Sequence, residues 1–120
     1  NVNVINGIYY YKYLELLNSA DMCLIPLQKV NNHSGLINIT ISFLLGKICM
    51  ITKHRKSRYY IKSGYNGFLI SSVKDAEKII KQSLNNPDKF NKIGLNAHET
   101  FNKEHRLESL VEKIFSCLKI

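Results

Sequence analysis

Ser34 and Gly35 stand directly ahead of an almost wholly apolar stretch, Leu36 to Leu45, in the segment NNHSGLINITISFLLGK. A hydroxyl and a glycine at the mouth of a helix can offer free backbone N–H groups, the positive end of the helix dipole and a close approach to the chain, which together suit a phosphate or diphosphate. The same pair also serves as a plain helix cap and turn, so spacing alone leaves both readings open. Charge favours the first. From Met22 to Lys74 there is no Asp or Glu, while Lys29, Lys47, Lys53, Arg55, Lys56, Arg58, Lys62 and Lys74 all fall there, so this segment carries the whole net charge of +8. An anion is the expected partner.

Other chemistries fit the residues less well. With no carboxylate between Met22 and Lys74, a paired-carboxylate hydrolase centred on this loop is excluded, as is a metal held by carboxylates from that segment. Asp21, between a helix and a strand, is poorly placed for acid–base work at the Ser34 loop. Cys23, Cys49 and Cys117 form no C-x-x-C pair, and two of them lie in apolar runs, where a thiol packs as a small hydrophobe. His33, His54, His98 and His105 show no zinc-ligand spacing with them or with one another. No metal and no cofactor are expected. His98 and His105 read as exposed residues of a helical tail without a role.

The elements that must position the loop follow from periodicity. NVNVIN alternates apolar and polar residues and predicts a short strand closed by an Asn6-Gly7 turn. Tyr10, Tyr13, Leu14 and Leu17 share one helical face. MCLIPL reads as a strand buried on both sides and ended by Pro26, and ICMIT as another, with the apolar Leu36 to Leu45 helix between them and Gly46 at its left-handed end. A strand, helix, strand unit of this kind predicts parallel pairing of MCLIP with ICMIT. After the basic connection KHRKSRYYIKSGYNG come a strand, FLISS, an amphipathic helix, VKDAEKIIKQSLNN, a helix starting at Pro87, and a closing helix, LESLVEKIFSCLKI. The predicted class is α/β, a Rossmann-like parallel sheet flanked by helices, in a single domain over residues 1–120. No signal-peptide pattern and no run of 18 apolar residues is present, so the expected location is the cytoplasm.

In order along the chain, LLNSADMCLIPL, HSGLINITISFLLGKICMIT, IKSGYNGFLI, DAEKII and NNPDKFNKIGLNAHETF resemble the carboxyl-terminal half of retaining glycosyltransferases of the GT-B fold, notably glycosyltransferase family 4. The resemblance covers nearly the whole chain. It implies the donor-binding half of an enzyme that moves a sugar from a nucleotide-sugar to a glycan or lipid-linked acceptor, as in polysaccharide biosynthesis, with an amino-terminal acceptor domain upstream. It would assign Ser34, Gly35 and Leu36 to the donor diphosphate, put His33 beside the transferred sugar, and make Asn66-Gly67 a structural turn.

The departures carry information too. The family has two glutamates eight positions apart, and counting back from Gly46 places His33 and Ile41 at those positions. Isoleucine cannot accept the hydrogen bond that the second glutamate is thought to make with the ribose. No catalytic residue is therefore assigned, and the isolated chain is expected to be inactive. The alternatives are a catalytically inactive nucleotide- or phosphate-binding module of the same fold, or a basic nucleic-acid-binding domain, which ranks below a nucleotide-sugar partner. The run Lys53 to Arg58 reads as solvated surface, or else as a phosphate or lipid-headgroup contact that would bring the chain to a membrane surface.

Overall fold

The computed structural model describes residues 2–27 and 35–118. Along the chain these form helix α1 (Tyr10–Ser19), strand β1 (Met22–Ile25), helix α2 (Leu36–Leu44), strand β2 (Ile48–Thr52), a one-turn helix α3 (Ser57–Tyr60), strand β3 (Phe68–Ile70), helices α4 (Val73–Asn85) and α5 (Pro87–Thr100), a π-helical turn (Phe101–His105) and helix α6 (Leu107–Leu118). The α/β class expected from periodicity is the one observed. The described strands make one parallel sheet in the order β1-β2-β3, with Cys23 opposite Cys49 and Met50 opposite Phe68.

The core follows from the two-residue alternation of β2. On one face Ile48 and Met50 meet Phe68 and Ile70 of β3, Ala76 and Ile79 of α4, and Phe90 and Ile93 of α5. On the other, Cys49 and Ile51 meet Ile25, Ile39 and Phe43 of α2, Ile61 and Ala97. Helices thus cover both faces, and an apolar helix such as α2 is buried accordingly through Ile39, Ile41, Ser42 and Phe43. Ser42 resolves its burial by donating to the Asn38 carbonyl at 2.7 Å.

The end of α2 is closed in full. Gly46 takes φ 66°, Gly46 N–H donates to Phe43 O at 3.1 Å and Lys47 N–H to Ser42 O at 2.8 Å, the paired bonds of a Schellman cap. His98 of α5 donates from Nδ1 to Leu44 O at 2.9 Å, so this histidine, expected to be idle, satisfies a further orphan carbonyl of α2.

Two expectations about strands fail. Residues 2–6 form no strand, and Val2, Val4 and Ile5 are exposed. Alternation produces a strand only where a sheet edge and an apolar face receive it, and this segment meets neither. β1 is not buried on both sides: it lies at the edge of the described sheet, Met22 and Cys23 are half-buried and Leu24 is 48% exposed. The cover of α4 and α5 is centred on β2 and β3 and leaves Leu24 open.

Helices α2 and α5 meet where a Cβ on Gly94 would come within 2.6 Å of the Gly46 carbonyl oxygen, a contact with backbone that cannot swing aside. In an exposed helix Gly→Ala gains about 1 kcal/mol, so the close approach reverses the usual sign. Gly94→Ala is expected to lower unfolding stability by about 1–3 kcal/mol, measured by urea denaturation, whereas a gain would show that the two helices do not touch there.

Candidate functional site

The helices α2 and α4 both begin beyond the carboxyl ends of the strands, where ligands of open parallel sheets collect. They begin differently. At α4, Ser72 accepts from Asp75 N–H at 3.2 Å while Asp75 Oδ2 accepts from Ser71 N–H at 2.8 Å, so the helix caps itself and places a carboxylate at its positive end. At α2 the cap position is Gly35, which supplies no side-chain acceptor, and the first turn holds no acidic residue. The opening amides of α2 have no acceptor within the helix, and Ile37 in that turn is 71% exposed.

Gly35 has φ 83°, a left-handed conformation that favours glycine. A Cβ there would lie 3.2 Å from both Ile25 Cγ2 and Ile51 Cδ1. The vacant side of this glycine therefore faces the carboxyl ends of β1 and β2 rather than solvent. Core packing explains the residue type, and it seats the start of α2 against the sheet. Substitution at Gly35 would consequently test packing before it tested ligand approach.

Of the residues singled out from the sequence, Gly35 and Leu36 sit together at this helix start, and both are half-buried. His33 and Ser34 lie outside the described residues. Ile41, where the resemblance places a glutamate, is 8% exposed and belongs to the buried side of α2. Asn66 is buried, with Oδ1 accepting from Lys62 N–H at 2.9 Å and Nδ2 donating to Thr100 Oγ1 at 3.2 Å, a structural role for the turn it occupies.

Around the carboxyl edge, Leu27 N–H donates to Thr52 Oγ1 at 2.9 Å and ties the chain beyond β1 to the end of β2. A hollow of about 280 Å³ opens there between Leu24, Leu27, Thr52, Ile70, Ser72 and Val73. Beyond β2 the basic run folds around α3, where a groove of about 430 Å³ is lined by Arg55, Arg58 and Tyr59. His54 is not a solvated member of that run. Its ring is half-buried, Nδ1 accepts from Lys56 N–H at 3.2 Å, and Nε2 is the one buried side-chain polar atom without a partner among the described residues. Charge counting did not single it out, since a histidine inside a lysine and arginine run carries no distinguishing signal.

No protein-family model and no curated protein matches the chain. Among solved structures, the Anabaena protein HepE, crystallised in complex with UDP-glucose, superposes with a TM-score of 0.69 at 20% sequence identity, over 88% of this chain and 29% of that one. The two share a fold over that portion, and the chain spans under a third of HepE's length. Among the described residues no helix is long and apolar enough to cross a membrane, and no group of three or more His, Cys, Asp or Glu residues could hold a metal.

His105, expected to be exposed, instead packs beside the rings of Phe43, Tyr60 and Phe101 at centroid distances of 5.8, 6.2 and 6.4 Å. Burial there holds its imidazole below the ordinary range, against a smaller upward pull from Glu104 and with a smaller downward push from Lys113. The folded value lies below the unfolded one, so on acidification the unfolded chain binds the proton first. Stability from this group is complete above pH ~6.5 and falls as pH drops below it. Thermal unfolding followed between pH 8 and pH 5 is expected to show this loss, and His105→Gln is expected to flatten it; an unchanged profile would place the titration elsewhere.

Ile41→Glu is expected to destabilise the fold, because a carboxylate buried there must either desolvate or take up a proton. With a buried glutamate pKa in the upper range for such sites, the cost is about 3–4 kcal/mol at pH 7. It should ease toward pH 5. Calorimetry showing a normally folded Ile41→Glu protein with tighter nucleoside diphosphate binding would instead put the position at the ribose.

Proposed function

We propose that the chain is the nucleotide-sugar donor-binding part of a GT-B glycosyltransferase, with residues 1–120 forming one domain and the acceptor side supplied by a separate amino-terminal domain of the same protein. The observation that carries this reading is the fold likeness, over 88% of the chain, to a protein whose structure holds UDP-glucose. It is supported by the carboxylate-free start of α2 at the carboxyl edge of a parallel sheet, where a diphosphate would meet amides that have no acceptor within the helix and the positive helix end.

In this reading Gly35 and Leu36 offer main-chain N–H groups to the diphosphate, Ser34 adds a hydroxyl, and His33 lies toward the sugar and donates to a hydroxyl or phosphate oxygen. The protein's work is to bind and orient the donor; transfer of the sugar to a glycan or lipid-linked acceptor requires both domains closed around it. Ile41 is buried in α2 and no Asp or Glu lies between Met22 and Lys74, so this segment offers the ribose no charge-assisted bond, worth about 1.5–3 kcal/mol, roughly ten- to a hundredfold in affinity. Donor binding by the chain is accordingly weak.

A titration with uridine and guanosine diphosphates, followed through backbone amide chemical shifts, tests the reading. The amides of Gly35, Leu36 and Ile37 are expected to move first and to saturate. Shifts confined to Lys53, Arg55 and Arg58 would overturn it in favour of a nonspecific basic surface. Tighter binding to single-stranded or duplex nucleic acid, weakening steeply with salt, would favour the nucleic-acid alternative.

A further inference from the structure

We infer that Cys23 and Cys49 form a peroxide-reactive dithiol that closes into an intrachain disulfide across β1 and β2. The two are direct partners in the parallel register, so their side chains leave the sheet on the same face, against α2. Neighbouring strands lie about 4.8 Å apart, within the Cα separation of about 4.4–6.8 Å that a disulfide spans. β1 lies at the edge of the described sheet, half-buried at Cys23, and can move the small distance that brings the Cβ atoms together. Both cysteines are free.

The pair is also unequally placed, since Cys23 is half-buried and Cys49 is fully buried, so a small oxidant reaches Cys23 first. The Cys49 thiol beside it holds Cys23 below the ordinary thiol range, against desolvation and with a smaller downward push from the Ser42 hydroxyl. Cys49 is fully buried and pushed far up by Cys23 and by burial, so it keeps its proton. Burial raises the Tyr13 hydroxyl of α1, with smaller contributions from Cys23, Tyr10 and Cys49.

The co-reactant is a hydroperoxide. Cys23 thiolate attacks one peroxide oxygen and the O–O bond breaks, leaving a sulfenic acid on Cys23 and, with hydrogen peroxide, hydroxide. The Cys49 sulfur then attacks the Cys23 sulfur and displaces its hydroxyl group, the Cys49 proton leaving with it as water. Two thiols lose two electrons in total, the peroxide gains them, and the products are one disulfide and two waters. The bond would staple the crossover of residues 24–48, which carries α2 and the candidate anion site.

Cys117 is exposed on α6 and would form intermolecular links, so every protein tested carries Cys117→Ser. On treatment with a small excess of hydrogen peroxide at pH 7, both remaining thiols are expected to disappear together, with a mass loss of about 2 Da and a linked Cys23–Cys49 peptide after digestion. With Cys49→Ser added, Cys23 should accumulate as a sulfenic acid trapped by dimedone. With Cys23→Ser added, Cys49 should react at least tenfold more slowly. Oxygen addition to Cys23 without a linked peptide in the protein that holds both cysteines would overturn the proposal, as would equal reactivity of the two single-cysteine proteins.

Discussion

Strand β2 is buried on both faces, with Cys49 and Ile51 at 0% exposure and Met50 at 2%, and the rest of the chain is arranged around that burial. A peptide backbone so enclosed must pair on both edges, since an unsatisfied N–H or C=O away from water costs free energy comparable to a lost hydrogen bond. β1 and β3 supply those edges, both in parallel. Parallel neighbours need crossover connections that return each strand to the same end of the sheet. The carboxyl end thereby collects Leu27, Gly35, Thr52, Lys53 and Ser71, and the candidate site lies where it does for that reason.

Helix α2 is held from several directions. Its start is seated on Ile25 and Ile51 through Gly35, its flank is tied to α1 by the hydrogen bond from Tyr13 Oη to Asn38 Oδ1, and its end is closed by the Gly46 cap, by His98 and by the contact with Gly94. Amides fixed in this way are oriented before any ligand arrives, and little reorganisation is needed to meet an anion. The comparison with α4 shows that position alone does not make such a site. That helix starts at the same end of the sheet, yet its own serine and aspartate occupy the cap.

Much of this was legible in the residues. Apolar runs of four or five residues bounded by Pro26 and Gly46, with an apolar helix between them, permit little except a buried parallel unit, because only a helical crossover can return the chain and only a covered sheet can hide both faces. Pro87 at a helix start is likewise a local signal whose meaning depends on neighbours a few residues away. The absence of acidic residues from Met22 to Lys74 marked where an anion would be tolerated.

What stayed hidden depends on contacts between residues far apart in the chain. NVNVIN has the alternation of a strand and forms none, since alternation describes a face and says nothing of whether a sheet edge is present to receive it. Gly35 was readable as a loop residue facing a ligand, but the two isoleucines against its missing side chain come from β1 and β2 and make it a packing residue. His98 and His105 looked idle because Leu44, Phe43 and Tyr60, which they meet across the fold, are more than forty positions away. Cys23 and Cys49 showed only wide spacing, and it is the strand register, set by which apolar side chains share a layer, that places one thiol opposite the other. Local periodicity determines the elements; the fit of one element against another, through shape and the need to satisfy buried polar groups, decides which residues meet.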